Sequence, residues 1–289
     1  MYRDDFYCPH GGAEPQGLLL PQDSIDLWVV PVAQVSETEL AHQFDTVLSE
    51  QERQQQVKFM FAKDRRRYLV TRALVRQTLS RYLPVRPADW RFAATAFGRP
   101  FIVNQHPDVA GLNFNISHSD QCVVLGLARG RELGVDVEDL HRSVPLEIAD
   151  HFFAPDEVRQ LHALPPQARP QRFLEFWTLK ESYIKARGKG LSLPLEQFGF
   201  GLDGPGPLKF FFNAAIDDRP GRWTFWQWLP SADSIAALCA ENRPNVEFAI
   251  RARRVTSFSS SDSMLFNVTR TSASNDSEMV DACFAGLLR

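Results

Sequence analysis

The sequence predicts an α+β protein made of two similar lobes. A long helical segment occurs in each half of the chain, at residues 63–83 and 171–187, and a run of short strand-like segments follows each one. A chain of 289 residues with 44% hydrophobic content can bury a core large enough for two such lobes. The expected divisions are a flexible lead-in at 1–22, lobes at 23–130 and 131–254, and a weakly ordered Ser-rich tail at 255–289.

The composition argues against several classes of protein. The net charge is −3, so no overall positive field draws the chain to nucleic acid or to an anionic membrane. No stretch approaches the roughly 18 apolar residues of a membrane span, and residues 1–22 lack the regions of an export signal. The four scattered cysteines disfavour a zinc site and a disulfide framework. We expect a soluble cytoplasmic protein that binds neither nucleic acid nor membrane.

The first lobe begins with a strand-length apolar run at 25–32. Ser36 with Glu39, and Ser49 with Glu52, have the spacing of helix-capping boxes. The long helix at 63–83 ends before Pro84, because proline disfavours helical backbone in the residue that precedes it. The strands predicted after it lie at 90–94, 100–103, 112–116, 123–127 and 133–137.

The second lobe repeats this plan. Shorter helical segments at 146–153 and 156–164 precede the long helix at 171–187. The strands predicted after it are rich in aromatic and β-branched residues and lie at 198–202, 208–212, 222–228, 235–240 and 246–251. Periodicity then fades until 279–288, where a short helix is expected.

Asp136 and Glu138 alternate with Val135 and Val137, so on a strand the two acids share one face. Neighbouring carboxylates repel unless solvent or a cation relieves them, and hard oxygen ligands with an open side suit Mg²⁺ that also holds a phosphorylated substrate. An acid-x-acid pair is a short and common pattern, however, and by itself more often marks a solvated strand face.

Trp177, Glu181 and Lys185 recur every four residues, so they share a face of the second long helix. An ordinary i, i+4 Glu–Lys pair on a solvated helix is the plain alternative. A bulky Trp on the same stripe favours a covered face, and covered ionisable groups usually have a partner or a function.

Four motifs resemble, in order and spacing, those of the Sfp-type 4′-phosphopantetheinyl transferases. They are Phe97-Gly-Arg-Pro100, Phe114-Asn-Ile-Ser-His-Ser119, Gly134-Val-Asp-Val-Glu138 and Trp177-Thr-Leu-Lys-Glu-Ser-Tyr-Ile-Lys185. The resemblance covers about residues 25–251. It implies a monomeric pseudo-dimer of two α+β lobes, with coenzyme A and Mg²⁺ between them and an apo acyl or peptidyl carrier protein as partner.

The resemblance also implies roles for individual residues. Asp136, Glu138 and Glu181 match the family's metal-binding acids, and Glu181 is also a candidate base. Lys185 matches the lysine beside the transferred phosphate, while Ser117 and His118 match residues that touch the coenzyme's phosphates. Arg99 stands where many members have Lys, which keeps the charge and changes its reach. Outside this motif, a capping or core role would be the more ordinary interpretation of His118.

A basic patch runs along the first long helix, within residues 58–81. Eight positive charges stand against the single acid Asp64: Lys58, Lys63, Arg65, Arg66, Arg67, Arg72, Arg76 and Arg81. A solvated helix face explains about half of such residues, and a nucleic-acid surface lacks a supporting motif. The resemblance places coenzyme A contacts here, and Lys58, Lys63 and Arg72 are the predicted ones; the sequence leaves open which of Arg65, Arg66 and Arg67 points inward.

These features predict transfer of 4′-phosphopantetheine from coenzyme A to a serine of an apo carrier protein, releasing adenosine 3′,5′-bisphosphate. Two alternatives stay open. One is another Mg²⁺-dependent phosphoesterase that uses the same acids. The other is a non-enzymatic protein that binds coenzyme A or a carrier. Which carrier or pathway is served does not follow from the sequence.

Overall fold

The structure is a computed structural model that describes residues 17–203, 207–212, 216–243 and 249–272. The predicted α+β class is confirmed. Six helices lie within these ranges: α1 Glu37–Thr46, α2 Glu50–Gln56, α3 Ala62–Tyr82, α4 Glu147–Phe152, α5 Pro155–His162 and α6 Arg169–Arg187. The strands there are β1 Ser24–Pro31, β2 Phe92–Ala94, β3 Pro100–Ile102, β4 Leu112–His118, β5 Cys122–Arg129, β6 Leu133–Asp139, β7 Phe198–Gly201, β8 Lys209–Phe212, β9 Trp223–Ser231, β10 Ser234–Glu241, β11 Ala249–Ser257, β12 Ser260–Ser263 and β13 Val268–Thr271.

Two main sheets organise the molecule. One has the strand order β12-β11-β1-β5-β4 and the other has the order β13-β9-β10-β6. Two small antiparallel ribbons, β2-β3 and β7-β8, complete the strands of the described residues. Every strand predicted from the sequence overlaps an observed strand, and most of the ends shift by no more than three positions. The last one differs more: β11 ends six residues later than predicted, and positions 246–248 of that prediction lie outside the described residues.

The core has three parts. Helix α3 packs on the five-stranded sheet through residues such as Leu74 and Leu79, and α6 packs on the four-stranded sheet through residues such as Phe176 and Leu179. The remaining faces of the two sheets share a third apolar cluster. Each lobe is therefore a sheet covered by one long helix, with the two sheets joined back to back.

The start signals of the first two helices are confirmed. Ser36 Oγ accepts the Glu39 backbone N–H at 3.2 Å. Ser49 and Glu52 form a full capping box, in which the Ser49 N–H donates to Glu52 Oε2 at 2.9 Å. Helix α3 ends at Tyr82, two residues before Pro84.

The expected tail at 255–289 is wrong for its first part. Strand β11 continues to Ser257 and runs parallel to β1, so the chain returns to the sheet of the first lobe. Strand β12 then extends that sheet, whereas β13 pairs with β9 in the second. The boundary at 254 therefore cuts through a strand, and the two lobes are not separate stretches of sequence.

The physical reason is that β12 and β13 are edge strands with one wet face, and such strands can be rich in Ser and still pair. Val255 and Phe258 supply the apolar contacts that the Ser-rich composition hides, since both are buried in the first-lobe core. The predicted helix at 279–288 lies outside the described residues.

The lead-in at 1–22 is described only from residue 17. There the backbone N–H groups of Gly17 and Leu18 donate to the Arg81 carbonyl at 2.8 and 2.7 Å, and Leu20 is buried. Residues 17–22 are therefore tied to the end of α3, which corrects the expectation of a flexible segment for that part. Within the described ranges, no helix has the length and apolar character that crossing a membrane requires.

Candidate active site

Strand β6 places its two acids as the alternation predicts. Val135 and Val137 belong to the apolar cluster between the sheets, so Asp136 and Glu138 face the opposite side, where α6 packs. The buried Asp136 carboxylate is only 5% exposed. This burial favours a function over the plain alternative of a solvated strand face, because an unrelieved buried charge is costly.

Gly134 determines how closely α6 approaches this face. A Cβ atom on Gly134 would lie 2.1 Å from the Ser182 carbonyl oxygen and 2.4 Å from the Ala186 backbone nitrogen. Only glycine leaves room for two backbones at this separation. The close approach brings the last turns of α6, with Glu181 and Lys185, over the acids of β6.

Lys185 connects the two lobes at this point. Its Nζ atom donates to Asp136 Oδ1 at 2.6 Å and to Ser117 Oγ at 2.8 Å. Ser117 lies on β4 of the first-lobe sheet and donates its own hydroxyl to Asp136 Oδ1 at 2.9 Å. Helix α6, strand β6 and strand β4 thus contribute one side chain each to a single polar cluster.

Glu138 and Glu181 both hold their protons more tightly than ordinary carboxyls. Burial, followed by the negative charge of Asp136, raises the pKa of Glu181 to about 7, although Lys185 opposes the shift. The same two causes raise the pKa of Glu138 to about 7 against the pull of Arg142, whose Nε lies 2.7 Å from Glu138 Oε2. Clusters of carboxyls with raised pKa values are typical of functional sites.

The acids have the chemistry of a cation site, but their arrangement is not that of a finished one. Asp136 Oδ2 is buried and has no hydrogen-bond partner among the described residues, so one carboxylate oxygen remains available to a ligand. Over the same residues, no three His, Cys, Asp or Glu side chains are close enough together to hold a metal ion. Lys185 now neutralises Asp136 instead.

His118 lies next to this cluster at the end of β4. Partial burial, then the positive charge of Arg67, and beyond it those of Lys185 and Arg72, lower its pKa. The ring is therefore mostly neutral at pH 7 and can accept or donate one hydrogen bond. Arg67 of α3 lies on this side of the molecule, because it donates to Asp120 in the turn that follows His118.

The basic patch of α3 divides into structural and available cations. Arg65 donates to the carbonyls of Phe59 and Met60, Arg66 donates to the Val32 carbonyl at 3.1 Å, and the buried Arg76 pairs with Glu52 at 2.9 Å. These three arginines therefore stabilise the fold: Arg65 and Arg66 bind backbone carbonyls, and Arg76 binds helix α2. Of the run 65–67, Arg67 is the residue on the His118 side, which the sequence left open.

The predicted coenzyme-binding residues are only partly brought together. Lys63 pairs with Asp120 at 2.9 Å, beside Arg67, and Arg72 covers the ring of Tyr68 at 5.2 Å. Lys58 is exposed in the turn after α2, and the structure records no contact between it and these side chains. Arg99 donates to Glu132 at 2.6 Å and to the Ala186 carbonyl at 3.3 Å, so it lies at the end of α6 rather than on α3.

Sequence reasoning missed several residues of the site. Asp139 accepts hydrogen bonds from the Ser119 hydroxyl and the Asp120 backbone, which fixes the turn after His118. Lys180 appears in the sequence analysis only as part of the Trp177–Lys185 motif, yet it is fully buried and pairs with Glu157 at 2.6 Å. Lys180 and Glu157 are distant in the sequence, so their pairing leaves no local pattern. Asp120, by contrast, directly follows the Ser-His-Ser motif and could have been noticed from the sequence.

Two family models match the chain. The model described as the 4′-phosphopantetheinyl transferase superfamily matches residues 132–239, and the model of a 4′-phosphopantetheinyl transferase N-terminal region matches residues 34–129. The first contains Asp136, Glu138, Glu181 and Lys185. The second contains Ser117 and the basic residues of α3.

Three relatives are similar to the chain over two thirds or more of their own length. The chain is 31% identical over 226 residues to the 4′-phosphopantetheinyl transferase HetI of Nostoc, covering 78% of this chain and 91% of that protein. It is 35% identical over 165 residues to the 4′-phosphopantetheinyl transferase Sfp of Bacillus subtilis, covering 57% and 71%. A phosphopantetheinyl transferase of Thraustochytrium is 30% identical over 198 residues, covering 63% and 67%.

The two family models together span both lobes, the first of them contains Asp136 and the two glutamates beside it, and the Nostoc relative is covered over 91% of its length. The predicted family is therefore confirmed: the chain belongs to the 4′-phosphopantetheinyl transferase superfamily, is of the Sfp type, and is an enzyme that transfers the 4′-phosphopantetheinyl group.

Proposed function

We propose that this enzyme transfers 4′-phosphopantetheine from coenzyme A to the serine hydroxyl of an apo acyl or peptidyl carrier protein. The observation that carries the proposal is the contact of Lys185 with Asp136 and Ser117, beside two carboxyls of raised pKa. It joins a cation suited to phosphate with a base suited to a hydroxyl, and both are needed for phosphoryl transfer.

In this reaction the serine Oγ bonds to the pantetheine-side phosphorus of coenzyme A. The bond between that phosphorus and the bridging oxygen breaks, and adenosine 3′,5′-bisphosphate leaves with the bridging oxygen. Lys185 stabilises the negative charge of the reacting phosphates. Ser117 and the neutral His118 donate hydrogen bonds, while Lys63, Arg67 and Arg72 neutralise phosphates on the α3 side.

Glu181 receives the serine proton, directly or through a water molecule. Its pKa of about 7 suits this task, because the carboxylate form is then available at neutral pH and is basic enough to accept a proton. Burial beside Asp136 produces that basicity. Glu50 on α2, by contrast, is an exposed carboxylate that pairs with the neighbouring Arg53.

The acids Asp136, Glu138 and Glu181 would hold Mg²⁺. The partnerless Asp136 Oδ2 and the pKa values of Glu138 and Glu181, raised by burial and by the charge of Asp136, support this assignment. Bound there, the ion would neutralise pyrophosphate oxygens. In the metal-free protein, Lys185 pairs with Asp136. A cation held by Asp136 would replace this pairing, so Lys185 would become available to the phosphate.

We also propose that the enzyme acts as a cytoplasmic monomer. The cluster draws Ser117 from one half of the chain and Lys185 from the other, so a single chain supplies both sides of the site. The buried thiols of Cys122 and Cys239 are free, in keeping with a reducing compartment. Light scattering of the purified protein tests the oligomeric state, and fractionation of cells that make it tests the location.

The deciding experiment incubates the protein with coenzyme A, Mg²⁺ and several apo carrier proteins. Each carrier is then weighed by mass spectrometry, and we expect the mass of one 4′-phosphopantetheine group on its serine. A phosphoesterase would consume coenzyme A without changing any carrier, and a binding protein would change neither. Chelation of Mg²⁺ should stop the reaction, and its readdition should restore it.

A further inference from the structure

Asp120 lies among the cations that the proposed function assigns to coenzyme A. It occupies the turn between β4 and β5, directly after the Ser-His-Ser motif. Its Oδ2 atom accepts a hydrogen bond from Lys63 Nζ at 2.9 Å, and its Oδ1 atom accepts one from Arg67. Lys63 and Arg67 are four residues apart on α3 and so are neighbours on one helix face. The Asp120 carboxylate therefore bridges them.

The backbone around Asp120 is held in place. Asp139, the last residue of β6, accepts the Asp120 backbone N–H at 3.1 Å and the hydroxyl hydrogen of Ser119. Ser119 Oγ in turn accepts the Cys122 N–H at 3.3 Å. The turn is thus fastened to the same strand that bears Asp136, and it directs the Asp120 carboxylate toward α3.

The contact is electrostatically favourable but exposed. The hydrogen bond that Lys63 donates to Asp120 is the first cause of a raised pKa in Lys63, and the same bond lowers the pKa of Asp120, so each partner stabilises the other's charge. The Asp120 side chain is 42% exposed and that of Lys63 is 67% exposed. Ion pairs in such positions are weak, and another anion can replace the carboxylate.

We propose that Asp120 is an internal competitor for phosphate. It occupies Lys63 and Arg67 in the free enzyme and must leave them when a phosphate of coenzyme A binds. This inference rests on the proposed function and adds a residue that sets the affinity of that site. Because the bisphosphate product presents the same kind of anion, Asp120 lowers the affinity for product as well and favours its release.

The test is calorimetric titration of the full-length protein with coenzyme A and, separately, with adenosine 3′,5′-bisphosphate, both in the presence of Mg²⁺. Asp120→Asn keeps the size of the side chain and removes its charge. We expect about fivefold lower Kd for both ligands, because an exposed ion pair is weak and its loss frees the two cations for phosphate. Asp120→Ala should change Kd in the same direction.

Two further variants make the result specific. Asp156→Asn removes one exposed carboxylate that is paired with Arg159 on α5, far from this turn, and should leave Kd unchanged. Lys63→Ala removes one of the two bridged cations, so adding Asp120→Asn to it should produce a smaller gain than in the wild type.

Two results for Asp120→Asn overturn the inference. Equal binding would mean that Asp120 does not compete with the ligand, and weaker binding would mean that Asp120 organises the cations for it. The same conclusion follows if Asp156→Asn gives an equal gain, since the effect would come from overall charge. Failure of coenzyme A to bind the wild type would overturn the proposed function together with this inference. Normal carrier modification without any gain in Asp120→Asn would overturn this inference alone.

Discussion

At the scale of single residues, the site is determined by where charge is buried. Asp136 is almost inaccessible, shares Lys185 with Ser117, and raises the pKa of both neighbouring carboxyls. The same burial that makes Glu181 a better base makes its ionised form unfavourable in the folded protein. The burial of Glu181 therefore favours activity and, once the carboxyl is ionised, lowers the free energy of unfolding.

Glu181→Gln should lower the transfer rate by at least about a hundredfold, the usual contribution of a general base, and more if a metal ligand is also lost. Burial and Asp136 raise the pKa of Glu181 to about 7 in the metal-free protein, and bound Mg²⁺ would lower it, so the transfer rate should reach its maximum at a lower pH as the Mg²⁺ concentration rises. Carrier modification followed by mass spectrometry at several pH values and Mg²⁺ concentrations measures both effects. The control Glu50→Gln, on an exposed carboxylate, should behave as the wild type; wild-type activity in Glu181→Gln would exclude the proposed base.

The same substitution should stabilise the metal-free protein at alkaline pH. The folded-state pKa of Glu181 is raised from 4.5 to about 7, so ionisation costs folding stability as pH rises through that window. Gln cannot ionise and avoids the cost, which is about 1–3 kcal/mol. Urea unfolding in EDTA should show Glu181→Gln more stable than the wild type at pH 8 and little different at pH 4.5. A stabilisation of the same size at both pH values would contradict this account.

At the scale of secondary-structure elements, the position of α6 against β6 decides the site. Gly134 allows the two backbones to approach, and the other face of α6 is held by the buried pair of Lys180 and Glu157. Lys180 Nζ also donates to the Phe198 carbonyl at 2.6 Å, which links α6 to β7. Helix α6 is thus held on two sides, and this positions Glu181 and Lys185.

Gly134→Ala should displace α6. The added Cβ would meet backbone atoms of Ser182 and Ala186, which cannot move aside as a flexible side chain can, so we expect a loss of about 3 kcal/mol or more in unfolding free energy. Transfer should fall with it. Gly221→Ala is the matched control, because nothing lies within 4 Å of its added Cβ. Equal urea midpoints for the two variants would show that α6 does not depend on this approach.

Lys180→Met should destabilise the second lobe by about 3–5 kcal/mol, because the buried Glu157 carboxylate would lose its partner. Burial already raises the pKa of Glu157 and lowers that of Lys180, so the pair is maintained by mutual neutralisation. Adding Glu157→Gln should recover part of the loss in urea unfolding. No recovery in the double variant would mean that Lys180 stabilises through its packing against Phe198 rather than through the charge.

At the scale of the whole molecule, the C-terminal strands join the two lobes. Strand β11 enters the first-lobe sheet beside β1, and β13 then pairs with β9 of the second sheet. Asp26 on β1 is fully buried and accepts hydrogen bonds from Arg251 of β11 at 2.6 and 2.9 Å. The last described residues are therefore part of both sheets.

Truncation after residue 254 should consequently reduce stability strongly. It removes β12, β13 and the buried Val255 and Phe258, and burial of such side chains contributes about 1.5–3 kcal/mol each. Ending the chain after residue 272 keeps every described strand and is the control. We expect a much lower melting temperature, or insoluble protein, for the first truncation only. Normal melting of the chain ending at 254 would show that these strands are dispensable.

The sequence by itself determined the α+β class, most of the elements and the family. Residue alternation placed Asp136 and Glu138 on one face of a strand, and the four-residue spacing of Trp177, Glu181 and Lys185 placed them on one face of a helix. Capping residues such as Ser49 act on their own helix. All of these are local relations, and local backbone geometry alone converts them into structure.

Tertiary structure decided which of those residues meet. Ser117 and Lys185 are 68 positions apart, and Lys180 and Glu157 come together only because α5 and α6 pack. It also decided which arginine of 65–67 faces the site, and that the Ser-rich strands after 255 pair at all. Pairing between distant segments depends on burial shared by both partners, and one strand's composition does not contain that information.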